Sequence, residues 1–250
     1  MTVDLNCDLG EGASHDAELL QLVTSANIAC GVHAGDAALM KKTVTTALAY
    51  DVAVGAHPSL RDTGGFGRRE LSVEAEEVYA LVLDQLRTLG EIAQTQGATL
   101  RHVKPHGALY NQSARDPQLA KAVASAVYSF DPGLILFGLA GSFSLTAART
   151  AGLSVASEAF VDRTYQPNGS LTPRTQPGAL IDDIARAIEQ AKQMVLEHRV
   201  RAVDGSWVEL QVGTLCIHGD GPHAVEYAKT LRSELERSGV EIKAPQNIKR

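Results

Sequence analysis

Short apolar runs typical of buried β-strands alternate with helical patterns along this chain of 250 residues. The runs cover residues 3–7, 26–30, 52–56, 100–104, 134–139, 154–158 and 214–218. Strands that alternate with helices and are apolar on both faces form parallel sheets. About seven such units suit a closed barrel better than an open, doubly wound sheet. We therefore predict an α/β fold, a single-domain (β/α) barrel with about seven parallel strands over residues 1–250, whose polar tail begins at about residue 243.

Capping residues mark the starts of three helices. Asp36 and Ser72 each precede an apolar stripe with helical spacing, and a short polar side chain in this place accepts hydrogen bonds from the first turn. Asp116 is followed by Pro117, and proline is favoured in the first turn of a helix. We expect helices to begin just after Asp36, Ser72 and Asp116.

The composition excludes several classes of function. The chain carries 23 Lys and Arg residues against 29 Asp and Glu residues, a net charge of −6, which disfavours binding to nucleic acid or to anionic membranes. Its apolar runs are far shorter than the ~18 residues of a membrane helix, and a basic and then apolar secretion signal is not visible. The three cysteines form no CxxC pair, so neither a disulfide framework nor a zinc ribbon is indicated. We expect a cytoplasmic protein.

Ionisable and amide side chains lie at the ends of almost all the predicted strands. In a βα barrel the loops that follow the strands build the active site. The candidate residues, in chain order, are Asp8, Glu11, Asn27, His33, His57, Lys104, His106, Glu158 and His218. Any one of them is more often a cap or a loop-fixing group than a catalyst. Their repetition at six strands nevertheless predicts a convergent polar site at one rim of the barrel.

The residue types indicate proton transfer and charge stabilisation. Asp8, Glu11 and Glu158 are candidate general bases or water-positioning carboxylates. The candidate histidines exchange protons near neutral pH. Pro105 holds the backbone of Lys104 extended, so the ammonium points to a fixed place where it would stabilise developing negative charge.

Two loops are suited to binding anions. Residues 62–69 combine glycines, which expose backbone N–H groups, with the guanidinium groups of Arg68 and Arg69. Arg163 and Arg174 lie in a long loop, residues 161–178, and are either anion clamps or loop anchors. The motifs GxxxxGK[ST], GxSxG and HExxH do not occur in the sequence, so no Walker-type ATP site, hydrolase nucleophile elbow or zincin site is indicated.

Seven ordered motifs together resemble the LamB/YcsF family, the A subunit of bacterial 5-oxoprolinase. They are DLNCDLGE at 4–11, NIACGVHAGD at 27–36, GAHPS at 55–59, GFGRR at 65–69, VKPHGALYN at 103–111, EAFVDR at 158–163 and IHGD at 217–220. The resemblance spans residues 3 to about 240. It implies a barrel similar to the polysaccharide deacetylase and glycoside hydrolase class.

The same resemblance implies the hydrolysis of a cyclic amide. The expected reaction converts 5-oxo-L-proline to L-glutamate while ATP is converted to ADP and phosphate. It requires two companion subunits, B and C, and ATP is a co-substrate that binds either this chain or its partners. No metal is firmly implied.

This chemistry assigns expected roles to the candidate residues. Lys104 and His106 would lie beside the developing oxyanion. Asp8, Glu11, His33 and His57 would manage the attacking water and its proton, with Glu158 as a further catalytic carboxylate. The expected substrate-binding residues are Asn27, Arg68, Arg163 and His218.

Two alternatives from other classes stay open on the sequence. One is a metal-dependent, deacetylase-like hydrolase with Asp8, His33 and His57 as ligands, because zinc accepts two imidazoles and a carboxylate with one open position. The other is a non-catalytic subunit that only binds the substrate or holds its partners together.

Overall fold

A computed structural model describes residues 1–217 and 224–246. Its strands are β1 (Thr2–Leu9), β2 (Ser25–Ala29), β3 (Ala53–His57), β4 (His102–Val103), β5 (Ile135–Leu139), β6 (Ser154–Phe160), β7 (Arg199–Arg201), β8 (Trp207–Glu209), β9 (Thr214–Ile217) and β10 (Glu241–Ile242). Its helices are α1 (Asp16–Leu19), α2 (Ala37–Ala49), α3 (Ala75–Thr95), α4 (Gly107–Arg115), α5 (Pro117–Phe130), α6 (Phe143–Thr150), α7 (Ile184–Leu196) and α8 (Ala224–Arg237).

Seven of these strands close into a parallel barrel. From β1 to β6 each strand pairs with the next, and β9 pairs with both β6 and β1. The predicted barrel is confirmed, and every predicted strand overlaps an observed one. Among the described residues, no helix is long and apolar enough to cross a membrane.

Two of the three expected helix starts are confirmed. The Asp36 carboxylate accepts a hydrogen bond from the Leu39 backbone N–H at 2.8 Å, and that of Asp116 accepts one from the Gln118 N–H at 2.8 Å. The expectation at Ser72 is wrong, because α3 begins at Ala75 after Glu74. Acidic side chains in the first turn of α3 interact favourably with the positive end of the helix dipole, so a short capping side chain is not required there.

The hairpin of β7 and β8 was not predicted from the sequence. Its strands are three residues long and antiparallel, and they stand apart from the barrel sheet. The long loop after β6 rests on this hairpin, since the backbone N–H of Val203 donates to the Tyr165 carbonyl at 2.8 Å. The hairpin therefore supports the loop that carries Arg163 and Arg174.

The barrel interior is polar, whereas its outer surface is apolar. Successive side chains of a strand point to opposite faces. In β1, Leu5, Cys7 and Leu9 belong to the large apolar core between the barrel and the helices. The alternate residues of β1 therefore face inward, and they are Asp4, Asn6 and Asp8.

The innermost carboxylate lies at the closed end of the barrel. Asp4 is buried and accepts hydrogen bonds from Thr24, Ser25 and Thr214 at 2.5–2.8 Å. Burial raises its pKa to about 6, although these hydrogen bonds oppose the shift. One layer above it, Asn6 donates to Glu158 at 2.8 Å and to Thr214 at 2.7 Å.

Gly55 of β3 leaves room for the His102 side chain of the neighbouring strand β4 inside the barrel. The His102 ring stacks on Phe137 with 4.2 Å between ring centroids, and its Nε2 donates to Asn27 at 2.8 Å. A Cβ at Gly55 would lie 2.1 Å from His102 Nε2. A residue without a side chain is therefore required at position 55.

We predict that Gly55→Ala lowers the free energy of unfolding by about 1–3 kcal/mol, since the His102 ring must leave Asn27 and Phe137. The measurement is the midpoint of urea unfolding. Gly213→Ala is the matched control, because a Cβ there meets its nearest neighbour, the Ser157 nitrogen, at 3.5 Å. The control should change stability by less than about 0.5 kcal/mol. Equal midpoints for the two variants would contradict the packing described here.

Candidate active site

The carboxyl ends of the barrel strands open into a cavity of about 890 Å³. Its floor includes Asp8, His57, Lys104 and His106. Its walls are formed by α4, by the start of α6 and by residues 168–175 of the long loop. The convergent site thus lies at the rim where the sequence predicts it.

The Lys104 ammonium is buried at the centre of the floor. The side chain is 2% exposed. The ammonium lies 2.9 Å from Asp8 Oδ1, 2.9 Å from Glu158 Oε1, 3.1 Å from Asn6 Oδ1 and 3.0 Å from Cys216 Sγ. Burial alone lowers the pKa of Lys104, but the carboxylates of Asp8 and Glu158 outweigh it and raise the pKa well above its ordinary value. The lysine is therefore a permanent cation.

This geometry gives Lys104 a role different from the expected one. An ammonium has three N–H bonds, and four acceptors surround it here. Its donors are therefore used within the floor, where they hold the carboxylates of Asp8 and Glu158. Lys104 is placed to orient Asp8 rather than to contact an oxyanion directly.

Glu158 lies below the cavity and is completely buried. One of its oxygens accepts hydrogen bonds from Asn6 and Lys104. The Tyr110 hydroxyl is buried nearby, and burial followed by the charge of Glu158 raises the tyrosine pKa well above its ordinary value. Glu158 is thus the buried counter-ion of Lys104, which separates it from the carboxylates at the cavity surface.

Three imidazoles lie in contact with one another, and two of them belong to the cavity floor. His57 Nε2 lies 2.9 Å from His106 Nδ1 and 3.3 Å from Asp8 Oδ2. The rings of His33 and His106 are stacked, with 3.9 Å between their centroids. Burial, and then the nearby His57, lowers the pKa of both His33 and His106 to about 3. These two rings are therefore neutral at physiological pH, as proton acceptors and metal ligands must be.

Glu11 is the carboxylate closest to the histidine cluster. Its Oε1 lies 2.9 Å from His33 Nε2 and 3.5 Å from His106 Nδ1. Burial, and then the charge of Asp8, raises the pKa of Glu11. A carboxyl group with a raised pKa is a better proton acceptor than an ordinary one.

The glycine-rich loop fixes the histidine cluster through one backbone carbonyl. His106 Nε2 lies 2.9 Å from the carbonyl oxygen of Phe66, a residue with φ +56°. This left-handed backbone is uncommon outside glycine and costs about 1 kcal/mol. The strain is sustained by Asp62, which accepts hydrogen bonds from the Gly65 N–H at 3.0 Å and from Arg69 Nε at 2.8 Å.

The arginines near the cavity have separate roles. Arg68 is exposed, lines the cavity and lies over the Phe66 ring at 5.1 Å. Arg163 is buried and donates to the backbone carbonyls of Ala179 at 3.3 Å and Thr172 at 2.6 Å. Burial lowers the Arg163 pKa to about 10, so this guanidinium stays charged. Of the two readings left open by the sequence, Arg163 suits that of loop anchor, although it also borders the cavity.

The structure brings most of the expected residues together. Asp8, Glu11, His33, His57, Lys104, His106 and Glu158 form one connected cluster. Asn27 is completely buried beneath it, and its amide donates to Asn6 and Asp8 at 2.7 and 2.8 Å. This position suits the orientation of Asp8 rather than contact with substrate. His218 lies outside the described residues.

Sequence reasoning missed Asn6, Cys216 and Tyr110 as parts of the site. Asn6 and Cys216 both contact the Lys104 ammonium, and Tyr110 lines the cavity beside Glu158. The period of two along Asp4, Asn6 and Asp8 was the available signal for Asn6. A signal of this kind did not exist for Tyr110, which lies on a helix among buried apolar residues.

The sequence and the fold both match known proteins. The family model described as the LamB/YcsF family matches residues 3–250. A crystal structure of a lactam utilization protein from Thermus thermophilus is 48% identical in sequence, and the match covers 98% of this chain and 100% of that chain with a TM-score of 0.92.

A more distant structure shares only the architecture. It is described as a putative cellobiose-phosphate cleavage protein from Enterococcus faecalis. It is 15% identical, and the match covers 96% of each chain with a TM-score of 0.61. At this level of identity the likeness shows the fold alone.

We predict that Lys104→Met lowers the free energy of unfolding by about 3–5 kcal/mol, because it leaves the buried Glu158 and the partly buried Asp8 without their cation. Adding Glu158→Gln removes one of those charges and should recover at least about 1 kcal/mol. Urea unfolding of the wild type, both single variants and the double variant measures the coupling. Lys121→Met, at an exposed lysine of α5, is the control and should be neutral. Additive losses in the double variant would contradict the ion cluster.

Proposed function

This chain belongs to the LamB/YcsF family, and we propose that it acts as the A subunit of an ATP-dependent 5-oxoprolinase. The reaction converts 5-oxo-L-proline to L-glutamate while ATP is converted to ADP and phosphate. Two companion subunits, B and C, complete the enzyme. The match to a lactam utilization protein over both whole chains supports a cyclic amide as the substrate class.

The observation that carries this proposal is the charge arrangement of the cavity. Its floor presents Asp8 beside the imidazoles of His57 and His106, and the exposed guanidinium of Arg68 lies at its wall. 5-Oxo-L-proline has the complementary features, since a carboxylate and a lactam carbonyl lie on one small ring. We assign the substrate carboxylate to Arg68, because arginine pairs well with carboxylates.

The lactam needs activation before water can attack it. Amide resonance protects its carbonyl carbon, and ring opening is unfavourable enough to require ATP. In the proposed first step the lactam oxygen takes the γ-phosphoryl group, ADP leaves, and the ring carbon becomes electrophilic. The His57 and His106 side chains, held by backbone carbonyls, provide a fixed polar environment for this change of charge.

Two waters complete the reaction. The first adds to the activated ring carbon, the C–N bond breaks, and the nitrogen takes a proton, which gives an acyl phosphate. The second hydrolyses this acyl phosphate to glutamate and phosphate. We assign the proton of an attacking water to Asp8 at the cavity floor or to Glu11 beside the histidine cluster, with His57 and His33 as their respective neighbours.

The nucleotide site involves the companion subunits in this proposal. The sequence has no Walker motif, and the long loop over residues 168–175 stands at the mouth of the cavity. Arg174 belongs to this loop and is exposed at the cavity wall, where it would meet the phosphates of ATP bound by a partner.

The test is glutamate and phosphate release from 5-oxo-L-proline by the purified chain with subunits B and C and ATP. We expect glutamate and phosphate in equal amounts, and only in the complete mixture. Asp8→Asn should lower kcat by about 100-fold or more, because it removes a proton acceptor. Arg68→Gln should raise KM about tenfold with a smaller effect on kcat, because it removes a substrate contact.

Assembly and surface controls accompany this measurement. Arg87→Gln changes an exposed arginine on α3, away from the cavity, and should leave both constants unchanged. Each variant is first checked for complex formation by size-exclusion chromatography. Normal turnover of a fully assembled Asp8→Asn complex would favour a non-catalytic scaffold. Glutamate release by the chain alone without ATP would overturn the energetic part of the proposal.

A further inference from the structure

The imidazoles of His57 and His106 each turn one nitrogen toward the other at the cavity floor. His57 Nδ1 lies 2.7 Å from the Lys104 carbonyl oxygen, and His106 Nε2 lies 2.9 Å from the Phe66 carbonyl oxygen. A carbonyl oxygen only accepts hydrogen bonds, so each of these nitrogens carries the ring hydrogen. The remaining nitrogens, His57 Nε2 and His106 Nδ1, are 2.9 Å apart, and in the neutral rings that a metal binds both of them are lone-pair acceptors.

The carboxylates beside this pair of nitrogens are acceptors as well. Asp8 Oδ2 lies 3.3 Å from His57 Nε2, and Glu11 Oε1 lies 3.5 Å from His106 Nδ1. Glu11 Oε1 also lies 2.9 Å from His33 Nε2. Asp8 Oδ2, His57 Nε2 and His106 Nδ1 are therefore the three atoms that a single cation could contact together.

We propose that Asp8, His57 and His106 bind a divalent transition-metal ion, with zinc as the first candidate, through Oδ2, Nε2 and Nδ1. The inference stands on the geometry of these residues and does not depend on the proposed lactam chemistry. Their ligand atoms lie within 4.8 Å of one another. Bonds of about 2.0–2.2 Å to a tetrahedral ion place neighbouring ligand atoms about 3.3–3.6 Å apart. The 3.3 Å from Asp8 Oδ2 to His57 Nε2 is in this range, whereas the 2.9 Å between His57 Nε2 and His106 Nδ1 would widen by about 0.5 Å when the ion binds.

The surroundings of the three ligands are also those of a metal site. Metal-binding histidines usually donate their other N–H to a carbonyl or carboxylate, which fixes the ring and its tautomer. Both His57 and His106 do so. The second oxygen of Asp8 is held by Lys104 at 2.9 Å and Asn27 at 2.8 Å, so this carboxylate is oriented as well.

The charge of the cluster and its access to the cavity favour an ion with an open coordination position. Asp8, Glu11 and Glu158 carry three negative charges when ionised, whereas Lys104 and Arg68 carry two positive charges near them, so the cluster is net negative and attracts a cation. All three ligands border the cavity. Three protein ligands with a position open to solvent are typical of catalytic rather than structural zinc sites.

The assignment differs from the ligand set considered on the sequence. That set used His33, whose Nε2 instead lies 2.9 Å from Glu11 Oε1. His106 replaces it, because its Nδ1 faces His57 Nε2 directly. With an ion bound, both oxygens of Asp8 are occupied, and Glu11 is the carboxylate that would be left to accept the proton of an attacking water.

The test is metal binding by the full chain without an affinity tag. The protein is stripped with a chelator, incubated with Zn²⁺ or Co²⁺, desalted and examined by elemental analysis, titration calorimetry and visible absorption of the Co²⁺ form. We expect one equivalent of tightly held metal and a Co²⁺ spectrum with nitrogen ligands. His57→Ala and His106→Ala should each weaken binding by at least about 100-fold.

Controls separate a specific site from adventitious binding. His15→Gln changes an exposed histidine outside the cluster and should bind metal like the wild type. Circular dichroism checks the folding of each variant, and the wild-type stoichiometry and spectrum decide the question even if a variant misfolds. No stoichiometric metal in the wild type, or equal retention by the His57→Ala, His106→Ala double variant, would overturn the site. These readouts are independent of glutamate release, so failure here leaves the proposed function to its own test.

Discussion

The buried Lys104 ammonium is the contact on which the interior of this barrel depends. Barrels of this class usually fill their centre with branched apolar side chains, whereas here Asn6, Asp8 and Glu158 face inward. Buried carboxylates are tolerated only when they are paired and hydrogen-bonded. One cation, reached from β4, neutralises groups from β1 and β6 and ties these strands together at the level of the cavity floor.

The same cation links the architecture to the chemistry above it. Lys104 holds one oxygen of Asp8 while its backbone carbonyl accepts from His57, so one residue orients both a carboxylate and an imidazole. The backbone carbonyl of Phe66, a residue in the left-handed conformation, orients His106 in the same way. The barrel and the glycine-rich loop thus each fix one histidine, and the second nitrogen of each ring points toward the other ring at the cavity floor.

The sequence predicted the barrel, its strands and the rim where the polar residues meet, because alternation of strand and helix patterns is encoded locally. It did not predict how deeply each side chain is buried. The sequence alone does not distinguish the buried Glu158, Asn27 and Arg163 from Asp8 and Arg68 at the cavity. Their burial and hydrogen-bond partners depend on contacts with residues distant in the chain. The role of Phe66 was also hidden, since it uses a backbone carbonyl whose direction follows from a left-handed loop residue.

The central claim is that the backbone carbonyls of Lys104 and Phe66 fix a ring hydrogen on His57 Nδ1 and on His106 Nε2, so that the other nitrogens of both rings face each other beside Asp8. Nitrogen-15 NMR of histidine-labelled protein near neutral pH tests it most directly, with His57→Gln and His106→Gln used for assignment. The predicted result is a His57 ring with its hydrogen on Nδ1 and a His106 ring with its hydrogen on Nε2. A His57 ring without hydrogen on Nδ1, or a His106 ring without hydrogen on Nε2, would contradict the claim.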